Sequence, residues 1–506
     1  MRRISSKFII TTLLFNGAIC CAISPFSDKV ISAERDVNLK VPSQINEVKI
    51  TKEIILAKED ILNLIKINSK ELEIMRSRIE QAKYTLKSEI SSWYPNLDVS
   101  GTGLPQYLSG TTYNESSADT SSKQLKASLS TTVRWYLVNP SRVPDIAAAR
   151  DELDNAKIAY EIKLRDLFLE GLKQFFQLQK SNEEVRIAKD SILTSKQSLE
   201  EAEIRLDAGI GTKFEVLEAK AQLAKDKQLH TRKLGEKRIN QRGLANILNL
   251  NYNTNPIIVS RPEIIGVWNT SLEESIINAY SYQKELKKLI LDISINNSKA
   301  NSVLASSQPK LSIFNTYSTS LSQGQVGVSN PDMSNNTFSD SNTIGLQFDW
   351  KIFDGGYGKS AYHSRKEKTK ELEADFTSRK NQIRKEVEES FYNLEIAKNN
   401  INNTFNEVLA AKEALRLALL RLKAGITTQR EVVSNQRDLT EAEVNYVVSI
   451  TDYNSNLIKL RRETGINNLQ ACTQIKDVEL EEKNEGSDSY MNSNTNEMSL
   501  PCKELI

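Results

Sequence analysis

The stretch most like a chemical site is Gly209-Ile210-Gly211-Thr212-Lys213, whose glycines and lysine superficially match a phosphate-cradling loop. It lacks the adjacent Gly-Lys-Ser/Thr ending and follows a helical pattern rather than a strand, so nucleotide binding is not expected. Asp354-Gly355-Gly356 reads as a strand-to-helix turn, not a dinucleotide loop. The two histidines, His230 and His363, have no Cys or His at ligand spacing, which argues against a metal site. No nucleophile–base pair can be defended, so no catalytic residue, cofactor or metal is expected. What remains is a set of residues around two glycine turns. Arg205, Gly209, Thr212, Glu215 and Glu218 surround the first; Arg421, Gly425, Thr428 and Glu431 surround the second. Carboxylates there either complement helix starts or, gathered close together, favour cations.

The two turns are copies. Arg205-Leu206-Asp207-Ala208-Gly209-Ile210-Gly211-Thr212 returns as Arg421-Leu422-Lys423-Ala424-Gly425-Ile426-Thr427-Thr428. Tyr94-Pro95-Asn96-Leu97 returns as Gln308-Pro309-Lys310-Leu311, and Trp135-Tyr136-Leu137-Val138-Asn139-Pro140 as Trp350-Lys351-Ile352-Phe353-Asp354-Gly355. All three pairs are about 215 residues apart, which marks a duplicated structural unit.

The chain has 506 residues, a net charge of +2, and only 19 glycines and 11 prolines. Near-neutral charge argues against a nucleic-acid partner, and few breakers favour long helices. Met1 to about Ala33 reads as an export signal with an uncertain cleavage site; a retained anchor is the alternative. Cys20 follows Ile19, which is unusual for a lipid acceptor; Cys472 and Cys502 are either a disulfide or two exposed thiols. Residues 34–50 form a leader. Residues 51–250 form repeat 1, with its strand pair at 95–138, and 271–467 form repeat 2, with its strand pair at 309–353. Between the repeats lies a connecting segment, 251–270, and a polar, acidic tail covers 468–506.

Each repeat combines helices with a short strand pair. Leu125, Ala127, Leu129, Thr131, Val133, Trp135 and Leu137 alternate with Lys126, Ser128, Ser130, Thr132, Arg134 and Tyr136. Ile344, Leu346, Phe348, Trp350 and Ile352 repeat the pattern, and polar stretches 104–123 and 320–341 read as long loops. Long helices are expected over 141–208 and 358–424. Heptads Leu178, Val185, Ile192, Leu199, Leu206 and Val387, Leu394, Ile401, Val408, Leu415, Leu422 mark side-by-side packing. Shorter helices are expected over 53–92, 213–250, 271–307 and 429–465. At about 1.5 Å per residue, two of them stacked end to end match one long helix on the order of 100 Å.

Four strands of about ten residues with one apolar face have the length that crosses a bilayer. They cannot close alone, so three copies giving 12 strands are expected. Trp135 and Trp350 would sit at the membrane interface, against lipid. The bland alternatives are a half-buried soluble sheet and a plain coiled coil: a periplasmic structural or adaptor protein without a pore.

With these residues in view, the chain resembles the TolC-type outer-membrane efflux proteins over about residues 51–467. The match rests on Pro95-Asn96-Leu97, Pro309-Lys310-Leu311, Phe353-Asp354-Gly355-Gly356 and the duplicated glycine turns. The resemblance implies a mainly α protein with a membrane β-barrel: a homotrimer whose 12-stranded barrel continues into a periplasmic α-helical tunnel. It implies docking of the turns at Gly209 and Gly425 onto a periplasmic adaptor, with an inner-membrane pump or ABC transporter behind it. In such proteins the far end closes like an iris. An acidic aperture residue maps onto Glu431; the next acidic position is Ser434 here, an arginine position is Thr427 and a tyrosine position is Leu422, three departures. Glu215, Glu218 and Glu431 are therefore expected at the constriction.

Overall fold

The computed structural model describes residues 41–113, 115, 120–327 and 335–466. The export signal, most of the leader, the loop tips, the tail and Cys472 and Cys502 lie outside them. Two compact units are present: residues 1–52 with 251–254, and 53–250 with 255–506. In the smaller, α1 (Ile45–Val48) is described, and Thr51 N and Lys52 N both donate to the Asn253 carbonyl.

In the larger unit the two repeats share one fold. After β1 (Lys52–Ile55) come α2 (Asp60–Asn68), α3 (Lys70–Ser91), β2 (Asn96–Thr112), β3 (Thr120–Val138), α4 (Arg142–Asp207) and α5 (Lys213–Ile247). Then follow β4 (Thr254–Ile257), α6 (Leu272–Tyr282), α7 (Lys284–Ala305), β5 (Lys310–Gly327), β6 (Asn335–Asp349), α8 (Tyr357–Lys423) and α9 (Gln429–Thr464). β1 pairs with β4, and Leu56 N donates to the Ile257 carbonyl at 2.9 Å. The other four strands form one antiparallel sheet in the order β2-β3-β5-β6, so the repeats are joined through β3 and β5.

Two expectations need correction. The first helix begins at Asp60, not at residue 53, and both short leading helices are broken, at Ser69 and at Gln283. Ser69 (φ −64°, ψ 118°) and Gln283 (φ −71°, ψ 122°) take the same extended conformation at matching places in the duplication. Neither break uses Gly or Pro. Ser69 accepts from Leu72 N as a helix cap, and Gln283 is buried and donates to the Glu463 carbonyl at 2.6 Å. The strands are also longer than ten residues: 17, 19, 18 and 15. Much of the sequence read as polar loop is strand, because its serines and threonines continue the ladder.

The long helices, 66 and 67 residues, carry the packing. α5 runs back along the C-terminal half of α4, where Gln174 Nε2 donates to the Asn240 carbonyl at 3.1 Å. α2 and α3 line its N-terminal half, where the Arg76 guanidinium lies 5.9 Å from the Tyr160 ring. The two meet at Gly171: a Cβ there would lie 2.9 Å from Ile65 Cδ1 and 3.8 Å from Ile247 Cγ2, so only glycine leaves room. On α8 the heptad residues Val387, Leu394, Ile401, Val408 and Leu422 are buried, with Leu415 packed against them. On α4, of that heptad, only Leu178 is buried. Further along, its buried seam is Ala188, Ser191, Ser195, Ser198 and Ala202, small residues that let α9 approach.

Candidate functional site

The sheet has two chemically different faces. Leu97, Val99, Tyr107, Leu125, Leu129, Val133, Trp135, Leu321, Phe338, Ile344, Leu346 and Phe348 are exposed apolar side chains on one of them. The other is bonded hydroxyl to hydroxyl: Ser100 with Ser130 at 2.8 Å, Thr132 with Thr316 at 3.0 Å, Ser318 with Ser341 and Ser320 with Ser339 at 2.8 Å. On this face Arg134 donates to Gln347 Oε1 at 2.7 Å. Strand alternation puts every second side chain on one face, so one sheet presents a greasy and a wettable surface. Trp135, at the helix-proximal end, donates its indole N–H to the Trp93 carbonyl at 2.9 Å; Trp350 lies just past β6 and is exposed. Buried Arg142 locks this corner, its guanidinium 4.2 Å from the Trp93 ring and bonded to the Tyr136 carbonyl at 2.7 Å.

At the start of α8, Asp354 accepts from Gly358 N at 2.8 Å and Gly356 N at 2.9 Å. These bonds, Gly358's foremost, hold its carboxyl below the usual range. The Asp-Gly-Gly turn is thus a helix-start device.

The glycine turns form the second region. Gly209 (φ +75°) and Gly425 (φ +71°) end α4 and α8 in the left-handed conformation. Ile210 N and Gly211 N both donate to the Arg205 carbonyl, at 3.0 and 2.8 Å, so the amides of the phosphate-loop look-alike are already spent. Thr212 and Glu215 cap α5 reciprocally: Thr212 N donates to Glu215 Oε2 at 2.9 Å and Glu215 N to Thr212 Oγ1 at 3.3 Å.

The second copy departs from this. Thr428 makes no side-chain cap, and Glu431 instead takes the Arg421 guanidinium at 2.7 Å and the Thr427 hydroxyl. The turns are then tied to each other. Arg205 donates to the Leu422 carbonyl at 3.3 Å, and Arg430 to Glu218 at 3.0 Å while lying 5.5 Å from the Phe214 ring. Glu218 and Glu431 are each held in an ion pair at these turns, with Arg430 and Arg421 respectively; Glu215 is not ion-paired. Arg430 and Phe214 were not singled out from the sequence, since their roles depend on the adjacency of two distant turns. A polar seam continues from the turns: Gln429 bonds Ser198, and Gln436 bonds Ser195 Oγ and the Ser191 carbonyl, each at 3.1 Å.

A sheet greasy on one face and hydroxyl-lined on the other, continued by paired helices far longer than a compact enzyme needs, defines a membrane conduit component. The family model for the outer membrane efflux protein matches residues 61–250 and 278–465, and the chain belongs to that family. It is accordingly an outer-membrane channel protein of the TolC-like kind, not an enzyme.

Among solved structures, a membrane protein from Pseudomonas aeruginosa is 16% identical, with a TM-score of 0.65 over 85% of this chain and 98% of that one. The CmeC outer membrane channel of Campylobacter jejuni is 14% identical, with a TM-score of 0.64 over 85% and 94%. The outer membrane protein VceC of Vibrio cholerae is 15% identical, with a TM-score of 0.64 over 81% and 96%. These share the fold. No curated protein matches the sequence. Among the described residues no helix is long and apolar enough to cross a membrane, and no cluster of His, Cys, Asp or Glu could hold a metal.

Proposed function

We propose that the chain is the exit duct of a tripartite efflux pump or type I secretion system. Three copies would close a 12-stranded barrel in the outer membrane and continue as a helical tunnel in the periplasm. The turns at Gly209 and Gly425, with Arg205, Thr212, Arg421 and Thr428, would dock on a periplasmic adaptor, with an inner-membrane pump or ABC transporter supplying the energy. Substrates would pass through without covalent change.

The observation that carries this reading is the open sheet with an apolar face. β2 and β6 are its edges, and each unpaired backbone group in lipid costs several kcal/mol. Neighbouring copies pairing β6 with β2 remove that cost, turn the apolar face to lipid and leave the hydroxyl ladder facing water. Trp135 and Trp350 would lie at the membrane interface.

Glu431 and Glu218 would sit at the periplasmic constriction with Glu215 behind them, each already paired within its own chain. Opening would then have to separate Arg421 from Glu431 and Arg430 from Glu218. Detergent-solubilised protein should run as a trimer and conduct ions in planar bilayers. A monodisperse monomer stable in plain buffer, or a trimer that never conducts, would overturn the reading.

A further inference from the structure

Glu463 sits one residue before the end of α9 and is only 5% exposed. Its Oε2 makes no well-formed hydrogen bond, and the fully buried Ser390 hydroxyl of α8, which approaches the carboxyl, makes none either. The joint around it is tight. Gln283, at the α6–α7 break, donates to the Glu463 carbonyl at 2.6 Å, and a Cβ on Gly465 would lie 2.9 Å from Tyr282 Cβ. The duplication supplies an internal control. The offset that takes Arg205 to Arg421 takes Leu244 to Leu460, Asn249 to Gly465 and Ile247 to Glu463. Asn249 and Gly465 both follow their helices with positive φ, 47° and 73°. The same joint therefore occurs twice, with a half-buried isoleucine in one copy where the other has a buried carboxyl group, so the fold does not require the acid.

The charged surroundings offset an ionised Glu463 only in part. From its own helix, Lys459 Nζ lies 3.8 Å from Oε1, while Arg462 is bound to Asp166 of α4 and Glu285 of α7 at 2.6 and 2.5 Å. α4 contributes Lys173, half-buried and itself shifted toward its neutral form by burial. α8 contributes Glu386, a like charge already held by Arg379 at 2.9 Å.

We propose that Glu463 carries a proton as part of the folded structure, and that this proton fastens the end of α9 to the α6–α7 break, so that the joint loosens as the pH rises. A protonated carboxyl removes the cost of burying a net charge in this joint, and its O–H gives the pair with Ser390 a second donor. Burial foremost pushes the carboxyl up from 4.5 to about 7; Glu386 adds to this, while Ser390, Lys459 and Arg462 oppose it. With the folded value above the free one, the stabilisation is complete below 4.5 and is lost as pH rises through about 7.

The test is hydrogen exchange of the full-length protein in detergent, corrected for intrinsic rates. Opening of segments 279–286 and 460–465 should become about tenfold more frequent per pH unit between roughly pH 5 and 7, then level off. The repeat 1 joint, segments 65–72 and 244–249, should stay flat. Glu463→Gln, which imitates the protonated acid, should flatten the first profile. A rise that survives in Glu463→Gln, or wild-type joints that behave alike, would overturn the proposal; the wild-type comparison suffices should the variant not fold.

Discussion

Individual positions in this chain are constrained for different reasons. Gly171 leaves room where three helices converge, so Gly171→Val should overpack the site and cost about 1–3 kcal/mol in chemical denaturation. Phe175, 2% exposed in the same core, should cost about 3–5 kcal/mol as Phe175→Ala. Glu431 is different: its partners Arg421 and Thr427 are held by the turn itself, so Glu431→Gln should leave the assembly intact. It should lower the cation preference of single channels, and an unchanged preference would remove Glu431 from the constriction. The glutamates and both glycine turns were legible because the octapeptide occurs twice. Their partners were not. That Glu215 caps its own helix while its counterpart Glu431 reaches for Arg421 depends on one cap forming and the other not. Nothing in Thr212 as against Thr428 announces that difference.

Among elements, the helices were the most legible and the strands the least complete. Heptad spacing over 178–206 and 387–422 marks α4 and α8 nearly to their C-terminal ends, since no proline lies beyond the first turn of either helix and a left-handed glycine follows each. The breaks at Ser69 and Gln283 leave no mark in the sequence because they are imposed by tertiary packing on residues that continue a helix elsewhere. The strand ends are hidden because serine and threonine rows look like loop until they are paired across strands. The two faces of the sheet should respond oppositely to one substitution. Leu346→Lys, on the apolar face, should cost about 2–4 kcal/mol if it lies near the bilayer midplane and should reduce recovery from outer membranes. Ser318→Lys, on the hydroxyl ladder, should leave trimer yield unchanged and shift ion selectivity toward anions in planar bilayers.

At the scale of the molecule, the duplication does more than double the parts. The seam between β3 and β5 is written into one chain, with Val133 opposite Asn315 and Trp135 opposite Ile313. By the copy relation that takes Trp135 to Trp350 and Pro309 to Pro95, β6 should meet β2 of the next copy in the same way. That places Phe348 opposite Gly101 and Trp350 opposite Val99 across the subunit boundary. A chain carrying Phe348→Cys and Gly101→Cys should therefore oxidise to a covalent trimer, and pairs displaced by two residues should not. A cylinder built this way has six nearly equivalent staves from three polypeptides. Any side chain pointing inward from one repeat recurs every 120° around the lumen, with a chemically different counterpart midway between.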